Sequence, residues 1–261
     1  MISGFFTKLR SRSNIKMGRT DQKSIAECFQ LANEQIYDRS HGYLSNRAYD
    51  YNSQNNRIHR LEQFLRVEFS LAKFEYVGCG DNAIIVRYSD TQALRFRAPP
   101  IDGEINTQSV VKAPFMCPIF KEIEFDGCRL NFVPYIPALS LAIAAGKQTP
   151  EIGKAYIYRL LEEGFNSSPP LWFHDYKNSS YKYEQIGLLD DHTPIIIDQG
   201  SVIPEALADD RMQDRLLEDK KRKPRNDNIP NWDGKWRDRT GAMKIESLPK
   251  PPAKIIEYNA M

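Results

Sequence analysis

An α+β fold is the class this sequence predicts: a small antiparallel sheet followed by a helical part and preceded by extra helices. Three observations predict it. Apolar residues recur at helical spacing before residue 70 and again after residue 137, strand-like alternation fills the stretch between them, and tight-turn signals punctuate that stretch. At 261 residues the chain can bury a sizeable core, as one domain or as two lobes. Its 41% hydrophobic and 27% charged residues are ordinary for a globular protein, and no run approaches the roughly 20 apolar residues of a membrane helix.

The elements follow in order. Residues 1 to 22 are polar and basic with no sustained period, and the apolar part of "MISGFFTKLRSRSNIK" is far shorter than a secretory core of about 7 to 15 residues. Sec-type export is not expected. "SIAECFQLANEQIY" (24 to 37) carries Ile25, Cys28, Phe29, Ala32 and Ile36 at helical spacing, and "NRIHRLEQFLRVEF" (56 to 69) carries Ile58, Leu61, Phe64 and Leu65. Both are expected to form an appendage. "FEYVGCGDNAIIVRYSDTQALRFR" then reads as three strands joined by a Gly-rich turn and a Ser-Asp turn. In the third strand Ala93, Arg95 and Arg97 fall on one face, Leu94 and Phe96 on the other. "PIFKEIEFDGCRLNFVPYI" adds a hairpin around Asp126-Gly127, for about five antiparallel strands between 74 and 135.

The remainder reads as mostly helical. "PALSLAIAAG" (137 to 146) is a short helix ending at Gly146; "TPEIGKAYIYRLLEEG" (149 to 164) has a Thr cap, Pro at the first helical position and Gly164 as its stop. A loop is expected over 165 to 185, then the short strands "IGLL" and "PIIID", and a last helix near "PEALADDRMQDRLLEDKKRK". Beyond Pro224 the Pro, Asn and Lys content predicts an irregular tail.

Charge and cysteine usage narrow the function classes. A net charge of +2 gives weak steering toward nucleic acid, so no specific nucleic-acid partner is expected. The basic runs "KKRKPR" (220 to 225) and "GKWRDR" (234 to 239) read as solvated segments. Cys28, Cys79, Cys117 and Cys128 lie far apart without zinc spacing, which predicts reduced thiols and a cytoplasmic setting.

Four stretches carry chemistry. Gly78-Cys79-Gly80-Asp81-Asn82-Ala83 lies between strands, as an ordinary tight turn or as a loop whose backbone approaches phosphates. Arg95 and Arg97 could hold phosphate oxygens in a bidentate fork, or stand as exposed strand arginines. Phe173-His174-Asp175-Tyr176-Lys177 places a carboxylate inside a polar loop, and Asp198-Gln199-Gly200 closes the run Ile195-Ile196-Ile197. Each Asp taken alone could be a cap or turn residue.

In this order, over roughly residues 70 to 205, the stretches resemble the protein-kinase-like superfamily. The glycine turn is similar to the kinase G-x-G-x-x-G hairpin, with Ala83 for the third glycine, and Arg95 or Arg97 stands in for the third-strand Lys. His174-Asp175-Tyr176-Lys177 is similar to the start of H-R-D-L-K-P-E-N, and Asp198-Gln199-Gly200 to D-F-G. The resemblance implies a bilobal kinase-like fold and binding of ATP with Mg²⁺. It implies Asp175 orienting the acceptor hydroxyl, Lys177 offsetting phosphoryl charge, and Asp198 holding the metal. For the metal-binding Asn, Ser180 stands at the usual distance from Asp175, while Gln185 directly precedes the first short strand. Gln185 is favoured, with an insertion of about five residues; Asn178 is the runner-up. His174 is expected to be scaffold. A Glu partner on a helix is not evident; Glu104 is the nearest acid.

The implied organisation is a helical extension (1 to 69), a sheet lobe (70 to 136), a reduced helical lobe (137 to 223) and a tail (224 to 261). About sixty residues follow Gly200 and no Ala-Pro-Glu appears, so the activation segment is reduced. Such brevity resembles the divergent kinases that bacterial pathogens deliver into host cells. A protein Ser/Thr hydroxyl is the expected acceptor; a pseudokinase binding module and a kinase of a small molecule such as an inositol phosphate are the alternatives.

Overall fold

The computed structural model describes residues 22–37, 55–80, 83–97, 113–126, 128–176, 181–189 and 193–221. Within them the chain is α+β and divides into two compact units, one centred on residues 16–101 and 119–135, the other on 102–118 and 136–242. Asp81, Asn82, Glu104, Lys177, Asn178, Ser180 and the basic runs from 222 onward lie outside the described residues.

The first unit is built on an antiparallel sheet of β1 (Glu75–Cys79), β2 (Ala83–Arg87), β3 (Gln92–Arg97), β4 (Lys121–Phe125) and β5 (Cys128–Pro134). Its strand order is β1-β2-β3-β5-β4, a three-stranded meander with the β4–β5 hairpin laid beside β3. Asp126 takes φ 51° in the β4–β5 turn, a conformation that Asp and Asn tolerate better than most residues. Ile84, Val86, Leu94, Phe96, Leu130 and Phe132 line one face of the sheet and are buried.

That face is covered by α1 (Ile25–Tyr37) and α2 (Asn55–Phe69). Ile25, Cys28, Phe29 and Ala32 from α1, and Leu61, Leu65 and Phe69 from α2, belong to the same core as the strands. Phe29 meets Phe96 edge-on at 5.5 Å, and Phe64 stacks on Phe125 at 4.2 Å. The two helices are therefore not the appendage the sequence suggested. Without them the apolar sheet face would stand in water, and apolar burial is the dominant force holding such a unit together.

The second unit contains α3 (Leu139–Ala144), α4 (Pro150–Phe165) and α5 (Asp210–Lys220), with two two-stranded ladders. β6 (Leu171–Phe173) pairs with β9 (Val202–Pro204), and β7 (Ile186–Leu188) with β8 (Pro194–Ile196). Thr149 caps α4 by accepting from the Ile152 amide, with Pro150 at the first position as predicted. Gly164 does not stop that helix. It lies inside α4, where a Cβ would come within 2.6 Å of the Leu171 carbonyl oxygen, so its role is close approach of α4 to β6. The stretch expected as loop over 165 to 185 contains β6, whose three residues are too few to show a period. Ala113–Cys117 also belongs to this unit: Phe115 and Met116 are in its core, and Cys117 N donates to Ile196 O at 2.8 Å.

Candidate functional site

In the second unit two ladders bring the acidic stretches together. β6 pairs with β9 through Phe173 and Val202, and His174 N donates to Ser201 O at 2.9 Å. The chain leaving β6 is thereby fixed beside the chain that follows Asp198. The His174 ring is tucked under this crossing, against Trp172 at 5.7 Å and hydrogen-bonded to the Gly200 backbone. Burial holds its pKa below the ordinary 6.5, outweighing the opposing pull of Asp175, the Gly200 bond and Asp198. The His174 ring is therefore neutral at neutral pH.

Asp175, the next residue, is held from two sides. Lys182 Nζ donates to both carboxylate oxygens at 2.8 and 2.9 Å, and Gln185 Nε2 donates to Oδ2 at 2.9 Å. Gln185 ends a one-turn 3-10 helix, Tyr183–Gln185, directly before β7. Its carbonyl accepts from the Ile197 amide at 2.9 Å, so the β7–β8 hairpin ties the start of one strand to the residue preceding Asp198. Asp198 in turn caps the 3-10 turn Gln199–Ser201, accepting from Gly200 N at 3.2 Å, and Gln199 Nε2 donates to the Cys117 carbonyl. Gln185 is thus tied to the Asp175 carboxylate by its side chain and to the segment entering Asp198 by its carbonyl.

The Gln185 side chain is only 7% exposed, and its amide oxygen Oε1 has no hydrogen-bond partner. Among the described residues no three His, Cys, Asp or Glu side chains gather as a metal site. An amide with its NH₂ on one carboxylate and its oxygen unmade offers a ligand of the kind hard cations take.

Lys182 was missed by counting forward from Asp175 to Lys177. The signal was present at the other end of the loop: counting back from the strand, Lys182 stands three residues before Gln185, the spacing of Lys and Asn in H-R-D-L-K-P-E-N. Asp219, on α5, was missed too. Its carboxylate is 2% exposed and accepts from Trp172 Nε1 at 3.1 Å and Tyr176 OH at 2.6 Å, one on each side of His174-Asp175. Nothing in its helical context distinguished it from its neighbours Glu218 and Lys220.

In the first unit the glycine hairpin is irregular in register between Tyr76 and Gly78, and Gly80 N donates to Ala83 O at 2.9 Å. No atom lies within 4 Å of where a Cβ would stand on Gly78 or Gly80. The space a side chain would fill at either position is therefore empty. Cys79 points back toward α1, its sulfur 3.8 Å from Ala32 O and 3.5 Å from Gln35 Oε1. Arg95 and Arg97 lie on the face opposite Leu94 and Phe96, as the alternation required, but Arg95 is only 7% exposed. The reading of Arg95 as an exposed strand arginine is corrected. All four cysteines are free thiols, and burial pushes Cys28 and Cys128 up to about 12, which leaves them inert at neutral pH.

Among the described residues no helix is long and apolar enough to cross a membrane. No protein-family model and no curated protein matches the chain. Among solved structures, a crystal structure of monomeric WbdD aligns with a TM-score of 0.35 and 14% identity, over 48% of this chain and 33% of that one. A likeness that slight, spanning one third of the other chain, carries no argument about fold or function.

Proposed function

We propose that this protein is an ATP- and Mg²⁺-dependent phosphotransferase of the protein-kinase-like class, bilobal in architecture, with a protein Ser/Thr hydroxyl as acceptor. One observation carries the reading. Gln185 binds Asp175 through its NH₂ and the segment entering Asp198 through its carbonyl, while its buried Oε1 is left without a partner. A buried polar atom left unmade costs about 1–3 kcal/mol, and a site that keeps one is explained when a ligand supplies the missing bond.

Asp198 and Gln185 are oxygen donors and would hold Mg²⁺, which supplies positive charge against the nucleotide phosphates. Asp175 orients the acceptor hydroxyl and takes its proton as the hydroxyl oxygen bonds to the γ-phosphorus. The bond from that phosphorus to the β-bridging oxygen breaks, ADP leaves, and Asp175 releases the proton to solvent. Lys182, in place of Lys177, fixes the Asp175 carboxylate and sets a positive charge beside the transferred group. His174 stays neutral and holds the loop. In the first unit, the empty side-chain space at Gly78 and Gly80 and the buried guanidinium of Arg95 support a phosphate-holding role for that hairpin and strand.

Thermal unfolding with ATP tests this. At about 100 times its Kd a ligand stabilises the folded state by about 2.7 kcal/mol. ATP with Mg²⁺ should raise the unfolding temperature of the wild type, and Asp198→Ala should lose the Mg²⁺-dependent part. No shift in the wild type, or an equal Mg²⁺-dependent shift in the variant, contradicts the assignment.

A further inference from the structure

The sheet face turned away from α1 and α2 carries a polar group beside Ala93, Ile85 and Val133. Arg95, Arg97, Arg129, Asn131 and Glu122 lie on it, because they alternate with the core residues Leu94, Phe96, Leu130, Phe132 and Ile123. Asn131 stands at its centre, the ladder partner of Arg95 on β3 and of Glu122 on β4. It is 0% exposed, and neither its Nδ2 nor its Oδ1 has a hydrogen-bond partner. Glu122 does not meet that need; its carboxylate is turned to Arg129 at 3.7 Å. A position with only a packing role would favour an apolar side chain of similar size, since sealing an unmade amide costs stability that Leu would not.

We infer that Asn131 is a ligand-binding residue that works as a pair with Arg95. With a phosphate-bearing ligand bound, the Arg95 guanidinium donates to Asn131 Oδ1, and Asn131 Nδ2 donates to an anionic oxygen of the ligand. Residues directly opposite in an antiparallel ladder have Cβ atoms about 4.5–5.5 Å apart, within easy reach of a guanidinium. An amide suits the place because it presents an acceptor to the cation and a donor to the anion. Asp there would lock the guanidinium in an ion pair, and Leu would offer it no acceptor. The bound arrangement differs from this one by a side-chain movement at Arg95. The inference rests on the phosphotransferase reading for the identity of the ligand.

The test uses the full chain with ATP and adenosine as probes, measured by calorimetry, together with denaturant unfolding in the absence of ligand. Asn131→Leu should unfold no more easily than the wild type, bind ATP about tenfold more weakly, and bind adenosine, which lacks phosphate, unchanged. A tenfold loss corresponds to about 1.4 kcal/mol, the scale of one hydrogen bond to a charged group. Asn131→Asp should also weaken ATP binding with adenosine unaffected. Marked destabilisation of Asn131→Leu overturns the inference, because it shows the amide already satisfied within the fold. Unchanged ATP affinity in both variants overturns it while leaving the phosphotransferase reading standing. A wild type that binds no ATP overturns both.

Discussion

Three residues decide how Asp175 is presented. Lys182 and Gln185 hold its carboxylate directly, and Asp219 holds the chain on either side of it through Trp172 and Tyr176. Lys182→Met should lower the rate of phosphoryl transfer by about a hundredfold or more, the range of a positioned charged group. Lys177→Met should change it little; initial-rate measurements at saturating ATP separate the two. Asp219→Asn leaves one of two buried donors without its acceptor and should cost about 1–3 kcal/mol in denaturant unfolding. His174 makes a prediction in pH. Its folded-state pKa lies below the ordinary 6.5, so the unfolded chain takes up the proton first as pH falls. Its stabilising contribution is complete above 6.5 and is lost as pH drops from there through the lower folded-state value. Denaturation midpoints should therefore fall more steeply between about pH 7 and about pH 5 in the wild type than in His174→Gln. At this scale the sequence singled out Asp175, Gln185 and Asp198, the last two by their places beside the short strands "IGLL" and "PIIID". Lys182 and Asp219 were not singled out, since one stands in a polar loop and the other acts across 43 and 47 residues of sequence.

Among the elements, local signals were read well and pairings poorly. Thr149-Pro150 opens α4, Gly146 follows α3 at φ 67°, and the Asp126 turn joins β4 to β5, all from short-range chemistry. β6 and β9 pair at a separation of about thirty residues, and neither three-residue strand has enough length to show alternation. Gly164 was misread for the same reason: its cause is the Leu171 carbonyl across the α4–β6 contact rather than the end of its own helix. Gly164→Ala should therefore destabilise the chain by about 1–3 kcal/mol in denaturant unfolding, because backbone, and not a flexible side chain, stands where the methyl would go. Were it a helix stop in the left-handed region of backbone space, the cost would be set by backbone conformation instead.

At the scale of the whole molecule, the two units have separate cores, one of sheet with α1 and α2, the other of α3 to α5 with the short ladders. The order of the sequence does not map onto them simply. Ala113–Cys117 precedes β4 yet packs with the second unit, through hydrogen bonds to Ile196 that no local period announces. Phe29 likewise belongs to the sheet core across more than forty residues of intervening chain. Phe29→Ala should cost about 3–5 kcal/mol, enough to unfold a unit of ordinary stability, whereas truncating an appendage would cost nothing.

The central claim is that Asp175 and Asp198 serve one phosphoryl transfer, and its most direct measurement is incorporation of label from γ-labelled ATP. Purified protein, Mg²⁺ and a cell lysate should yield labelled protein with the wild type, and none above background with Asp175→Ala or Asp198→Ala when both variants are folded. Labelling by either variant at the wild-type level, or none by a wild type that binds ATP and Mg²⁺, would contradict the account.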